Sequence, residues 1–170
     1  MSVVLEIEGR PVRVMSLQLS PFDPASCESD ARQMLRILNA DDIPGLAVGD
    51  YNTAGLTDPD PYQHRPWHPD HAYHLDADGR VDRRPAIRLE RHGRMRHCAD
   101  LAGAAWEPTT GHAPTDHHGP RRVDRWMATH HFPADAITGY RALPLDSIRH
   151  HDSWLTDHRP VEITLDWTPQ

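Results

Sequence analysis

Three short segments of this 170-residue chain set acidic, amide and imidazole groups beside apolar runs: Gly49-Asp50-Tyr51-Asn52, Arg122-Val123-Asp124-Arg125 and Thr156-Asp157-His158-Arg159-Pro160-Val161. Carboxylates hold hard divalent cations such as Mg²⁺. An imidazole, with a reference pKa near ~6.5, can hold or release a proton close to neutral pH. With an amide donor added, these are the groups needed for metal-assisted hydrolysis of a phosphoester, which requires a polarised phosphoryl oxygen, an activated water and a stabilised leaving oxygen. Each segment alone has a plainer reading. An Asp-x-Asn after a strand is ordinarily a turn in which side chains bond their own backbone, and Asp-His before Pro is an ordinary loop.

A second candidate set is His64, His68, His71 and His74, spaced 4, 3 and 3. On a helix they would share one face as zinc ligands, but Pro66 and Pro69 break that helix. An exposed His-rich loop is the expectation. The neighbouring pairs His117-His118, His130-His131 and His150-His151 point in divergent directions on any regular element. Arg121 and Arg122 are candidate phosphate contacts, although a solvated strand end is the simpler role. Trp106, Trp126, Trp154 and Trp167 read as packing residues rather than base-stacking platforms.

The elements that must position these groups follow from the pattern. Residues 3–8 (VVLEIE) and 12–19 (VRVMSLQL), joined by Gly9-Arg10-Pro11, read as a β-hairpin. Neither face of the second run is clearly polar, which predicts a strand between neighbours. Ser26 is the expected cap of an amphipathic helix reaching about Asn39, with Ala31, Met34, Leu35 and Leu38 at 3/4 spacing. Gly45-Leu46-Ala47-Val48 reads as a short buried strand that stops at Gly49-Asp50. Residues 53–82, rich in His, Pro and Asp, have no period and predict one long surface loop. Weak helical signals follow around Ala86-Ile87-Arg88-Leu89 and Ala99-Asp100-Leu101-Ala102. Strands are expected over Arg122 to Thr129 and Val161 to Trp167, with His150 to Asp157 as the loop before the last one.

The composition, 38% hydrophobic and 25% charged, suits a single globular domain over residues 1–170. No run approaches the ~20 apolar residues needed to cross a bilayer, and MSVVLEIEGR lacks the basic and then apolar order of a signal peptide. No membrane partner and a cytoplasmic location are expected. Cys27 and Cys98 have no disulfide-framework or zinc-knuckle spacing, so both are expected to be reduced. All 18 basic residues are Arg, the bias of a GC-rich genome. A net charge of −7 argues against coating of duplex nucleic acid by phosphate neutralisation, while acidic charge gathered around a divalent metal remains compatible with a phosphoester.

In this order, the three segments resemble the GD[FY]N, R[VIL]D and [ST]DH-x-PV motifs of the endonuclease/exonuclease/phosphatase superfamily, and DHRPVEITLD resembles the tail of pancreatic-type deoxyribonucleases. Leu17-Gln18-Leu19-Ser20-Pro21 with the following helix resembles the block that precedes GDFN. The resemblance runs from about residue 3 to 167, with 53–120 contributing little. It implies an α/β (α+β) fold, the C-terminal portion of a four-layer α/β sandwich with a mostly antiparallel or mixed sheet and flanking helices. It also implies an N-terminally truncated domain, whose exposed sheet a homo-oligomer or partner subunit would cover.

On this resemblance the expected activity is that of a metal-dependent phosphoester hydrolase, nuclease or phosphatase type, using Mg²⁺ or Mn²⁺ on a nucleic acid or small-molecule substrate. Asp50 would orient or deprotonate the attacking water and Asn52 would hold a phosphate oxygen. Asp157 would be the metal-side carboxylate. His158 would stabilise developing charge, oriented and kept cationic by Asp124. Gln18 stands where the family carries a catalytic-site His, and an amide cannot donate a proton as an imidazolium does. The family's early Asn and metal-binding Glu have no counterpart in this chain. The alternative is a non-catalytic binding or assembly subunit that keeps the fold and has lost the chemistry.

Overall fold

The computed structural model describes residues 1–113, 115–151 and 153–167. Two strands open the chain, β1 (Ser2–Ile7) and β2 (Arg10–Gln18), paired antiparallel as the expected hairpin. A helix, α1 (Pro24–Leu38), then crosses over to β3 (Gly45–Asp50), which lies parallel to β2. Antiparallel neighbours need only a turn, whereas this parallel pair requires a long crossover, which α1 supplies. The helix begins two residues before the expected cap, at Pro24. Asp23, not Ser26, accepts from the free amides of Ala25 and Ser26, and Pro24 fits the first turn because its missing N–H would have been unpaired there.

A one-turn α2 (Arg84–Ala86) runs into a π-turn over Ile87–His92, followed by β4 (Arg96–His97) and α3 (Cys98–Leu101). β5 (Asp124–Ala128) completes a five-stranded sheet of order β1-β2-β3-β5-β4. β6 (Ile137–Ala142) pairs antiparallel with β9 (Val161–Leu165) as a separate ribbon. Between them β7 (Arg149–His150) and β8 (Ser153–Trp154) make a minimal hairpin where a plain loop was expected.

β2 has apolar residues on both faces because both faces are covered. Met15 and Leu17, with Ala47 and Met127 of neighbouring strands, pack under Cys27, Ala31, Met34 and Leu38 of α1. On the opposite face Val12, Leu46 and Ala128 meet Ile137, Phe132, Cys98 and Trp167, so the β6–β9 ribbon forms a third layer. Both cysteines are free and buried, and burial raises each thiol to about 12. The edge strand β1 leaves Val3, Val4 and Leu5 between 43% and 49% exposed. Among the described residues, no helix is long and apolar enough to cross a membrane.

The 53–82 segment is more ordered than its lack of period predicts. A 3₁₀ turn spans Pro69–His74, and Leu75 bridges to Val81. His71 is buried and its Nε2 lies 2.8 Å from the carbonyl of His117. Its ring packs 4.5 Å from that of Tyr62, and His68 stacks on His117 at 3.9 Å. The aromatic bodies of these side chains supply the apolar surface that a count of Leu, Ile and Val misses. His64 alone of the first four stays exposed, with a left-handed φ of 66°.

Gly49 has a physical reason to precede Asp50. Its φ is +149°, and a Cβ there would stand 1.8 Å from the backbone oxygen of Leu17. Because backbone cannot move aside as a flexible side-chain tip can, Gly49→Ala is expected to destabilise the fold by roughly 2–4 kcal/mol. Urea denaturation reads this, and a midpoint like that of the unmodified protein would show that the strand end tolerates a side chain.

Candidate functional site

Three strands end together at one edge of the sheet. The register sets Gln18 of β2 beside Asp50 of β3, and Asp50 beside Asp124 of β5. Side chains at paired positions point to the same face. The loop before β9 then brings His158 to Asp124, with Nδ1 2.8 Å from Oδ2. Ligand atoms of Asp50, Asp124 and His158 all lie within 4.8 Å of one another, and among the described residues this is the group of such atoms that could hold a metal ion. The histidines of the 53–82 segment pack by their ring faces without that convergence.

Asp50 and Asn52 form a closed turn. The Asn52 amide N–H donates to Asp50 Oδ1 at 2.9 Å. Its side-chain amide donates to Asp50 Oδ2 and to the Leu19 carbonyl, both at 2.9 Å. Asn52 takes a left-handed φ of 47° to do so, which asparagine tolerates better than most residues. The segment is thus the turn of its plainer reading, and that turn fixes the orientation of the carboxylate.

Burial raises the Asp50 carboxyl above the usual carboxylate range; the amide of Asn52 opposes this, and the charge of Asp124 adds to it. His158 moves up as well, chiefly through its hydrogen bond to Asp124, although partial burial works against its charged form. A carboxyl with a raised pKa thus stands near an imidazole whose protonated form is favoured by a carboxylate. Asp157 is exposed and outside the converging set, and Gln18 is exposed at the strand end.

Three features without a local sequence signal hold this arrangement. Thr109 is fully buried, and its Oγ1 accepts from the amides of Val123 and Asp124 at 3.1 and 3.0 Å. Its carbonyl accepts from Arg159 N–H at 2.7 Å, which ties the two halves of the His158–Asp124 pair to one residue. The Arg159 guanidinium donates to the carbonyls of Pro108, Ala142 and Leu143, stapling the His158 loop to β6. Trp126 Nε1 reaches across to the Val161 carbonyl at 3.1 Å.

Arg122, expected at a solvated strand end, is instead buried against Asp58 at 2.7 Å, each side chain 4% exposed. Asp58 also accepts from Trp106 Nε1 at 3.1 Å and Gly55 N–H at 2.8 Å. Arg125 is buried beside this pair, with Nε donating to the Arg122 carbonyl and its guanidinium over the Tyr51 ring. Burial alone would raise the Asp58 carboxyl, but Arg125 and Arg122 bring it below the ordinary range. Trp106, Trp126 and Trp167 all pack or bond inside the fold, as expected. The side chain of Trp154 lies outside the described residues.

A scan against protein-family models finds no match, and a search of curated proteins finds none. Solved structures do match. An endonuclease/exonuclease/phosphatase family protein from Leptotrichia buccalis C-1013-b superposes with a TM-score of 0.61 at 12% identity, covering 98% of this chain and 52% of that one. NExo, a 3′ phosphatase from Neisseria bound to product DNA hairpin, matches with 0.61 at 12%, over 98% of this chain and 65% of its own. An AP endonuclease from Archaeoglobus fulgidus matches with 0.61 at 14%, over 98% and 65%. This chain therefore spans between half and two thirds of the length of these proteins. Taken with the strand order and the motifs at the strand ends, the superposition gives the chain the endonuclease/exonuclease/phosphatase fold.

Proposed function

We propose that this chain is a metal-dependent phosphoester hydrolase of nuclease or phosphatase type, on the convergence of Asp50, Asp124 and His158 at one sheet edge. The carboxylates of this group, Asp50 and Asp124, fit a hard divalent cation, Mg²⁺ or Mn²⁺, while His158 is left to act as a proton donor. Two carboxylates come close enough that the charge of one raises the other, and a cation relieves that repulsion. Asp157, exposed and outside the Asp50–Asp124–His158 group, would serve as the metal-side carboxylate only by reaching toward it from the loop before β9. When bound, the cation polarises a phosphoryl oxygen.

The chain's own residues supply the remaining steps. Asp50, held by Asn52, orients the attacking water and takes its proton. Asn52 has both amide hydrogens committed to Leu19 and Asp50, so it acts on phosphate only by exchanging one of them. His158, kept cationic by Asp124, donates toward the phosphoryl or leaving oxygen. Gln18, beside Asp50 in register, can add a neutral hydrogen bond. A phosphatase and an AP endonuclease among the similar structures support a phosphoester substrate, nucleic acid or small molecule. A cytoplasmic location belongs to the same reading. So does a second copy or partner subunit on the exposed β1, which light scattering would remove by giving a monomer.

The test is a divalent-metal titration followed by a panel of phosphodiesters and phosphomonoesters. Turnover is expected with Mg²⁺ or Mn²⁺, following a bell-shaped pH profile. The acid limb reports deprotonation of Asp50, raised in the metal-free protein by burial and by Asp124. The alkaline limb reports loss of the His158 proton, raised there chiefly by its hydrogen bond to Asp124; a bound cation would draw both limbs down. Metal binding with no turnover on any substrate would leave the non-catalytic reading in its place. In Gln18→His the rate near neutral pH is expected to rise, by up to about 10²-fold if an acid is restored, and the gain should fade as pH climbs through the new imidazole's pKa. No gain at any pH would remove Gln18 from the site.

A further inference from the structure

His158 is followed by a cation, Arg159, at the position that the [ST]DH-x-PV pattern leaves open. A guanidinium next to an imidazole at a phosphoester site would ordinarily be expected to reach for a phosphate, which its planar fork recognises with two parallel bonds. Its contacts serve another end. The Arg159 side chain is 11% exposed, and all three of its nitrogens donate to backbone: Nε to the Leu143 carbonyl at 2.7 Å, Nη1 to that of Pro108 at 2.9 Å and Nη2 to that of Ala142 at 3.1 Å. The acid beside it, the half-exposed Glu107, stands 3.6 Å away, outside hydrogen-bond reach. A buried charge has to be hydrogen-bonded to be tolerated. Here carbonyl dipoles do that work, and they fix the side chain in return.

The three carbonyls belong to two separate stretches of chain. Ala142 closes β6 and Leu143 follows it, whereas Pro108 precedes Thr109, whose hydroxyl oxygen accepts from the Asp124 N–H at 3.0 Å. The backbone repeats both links: Arg159 N–H donates to the Thr109 carbonyl at 2.7 Å, and Leu143 N–H to the Pro160 carbonyl at 2.8 Å. Bonds therefore run in a closed ring. They lead from His158 through Arg159 to Pro108 and Thr109, on to Asp124, and back across the 2.8 Å imidazole–carboxylate contact. A rigid fork fixes direction as well as distance, so the ring closes in one arrangement, and that arrangement sets the imidazole against its carboxylate.

We propose that Arg159 is the positioning residue of this site, which holds the His158 imidazole against Asp124 by way of backbone carbonyls and makes no contact with substrate. The inference rests on the phosphoester-hydrolase reading above. It separates Arg159 from a phosphate-binding arginine on two counts: its removal acts on the chemical step rather than on binding, and it acts only while His158 is present.

The experiment measures kcat and KM, on whichever ester of the panel is turned over, with Arg159 changed in two backgrounds. In the otherwise unmodified protein Arg159→Met is expected to lower kcat by about 10- to 100-fold, the loss that a misplacement of about 1 Å produces, with KM little changed. Arg159→Lys, which keeps the charge and loses the fork, should fall nearly as far, and it carries the comparison if Arg159→Met does not fold. In a His158→Asn background neither change should lower kcat further, because residues that act as one unit do not add. An unchanged kcat would overturn the proposal. So would a rise in KM with kcat preserved, which makes Arg159 a substrate contact, or an equal fall in both backgrounds, which makes its role general to the fold. If no ester is turned over, the hydrolase reading fails, and proton NMR of the metal-free protein decides the positioning role. The hydrogen-bonded Nδ1–H resonance of His158, assigned by its absence in His158→Asn, should be lost or move upfield in Arg159→Lys. A resonance unmoved by that change would overturn the proposal on its own.

Discussion

Asp50→Asn is expected to lower turnover by about 10²–10⁴-fold, the usual range for removing a positioned general base, while the unfolding midpoint at neutral pH stays level or rises. Two features of the site motivate the pairing of these outcomes. The carboxyl is partly buried and faces Asp124, so its pKa in the fold lies above the ordinary value. A group raised in this way favours the folded state while protonated, and that contribution is lost as pH rises through the raised pKa. At neutral pH the ionised Asp50 therefore works against stability, and its neutral isostere removes the penalty. Steady-state kinetics and urea denaturation at the same pH read both arms. Activity within a few-fold of the unmodified protein would take Asp50 out of the mechanism.

The largest loss of stability is expected far from any reacting group. Asp58→Ala removes the carboxylate that faces Arg122 at 2.7 Å in a setting where both side chains are 4% exposed. Arg125, 1% exposed, stands beside them. Buried Arg122 then keeps only the more distant, exposed Asp100 at 3.9 Å, and breaking a buried pair from one side typically costs about 3–5 kcal/mol. The double change Asp58→Leu with Arg122→Met, which removes both charges, should recover much of that loss. Chemical denaturation of the three proteins measures the coupling. An Asp58→Ala protein as stable as the original would show that water enters and solvates the arginines.

What the sequence made legible was local. The β1–β2 hairpin follows from Gly9 between two apolar runs, and α1 from apolar residues at 3/4 spacing. Asp50, Asn52, Asp124 and His158 are recognisable because the strand ends that carry them keep short, ordered motifs, and the register then brings those ends side by side. Thr109 and Arg159 were not legible. Their work is done through backbone amides and carbonyls of residues distant in sequence, and a buried Thr in a Pro/Gly-rich stretch looks like any loop residue. β6 was missed for a related reason, since its hydrogen-bond partner β9 follows almost twenty residues later and Thr138, Gly139 and Arg141 interrupt its apolar pattern. The Asp58–Arg122 pair spans 64 positions and has no periodic signal. The 53–82 segment lacks aliphatic periodicity because stacked histidine and tyrosine rings, rather than aliphatic side chains, hold it down.

Asp124 belongs to the five-stranded sheet, whereas His158 rides on the loop that Arg159 staples to the β6–β9 ribbon. The 2.8 Å contact between them is thus a joint between two layers, held in alignment by the bonds of Thr109 to both sides. A sub-ångström shear at the Trp126–Val161 contact would detach the imidazole from its carboxylate while every backbone ladder stayed intact. If the proposed hydrolysis is found, its rate would serve as a gauge of interlayer alignment: with gentle warming or a conservative change under the ribbon, activity should drift away before circular dichroism records any loss of strand.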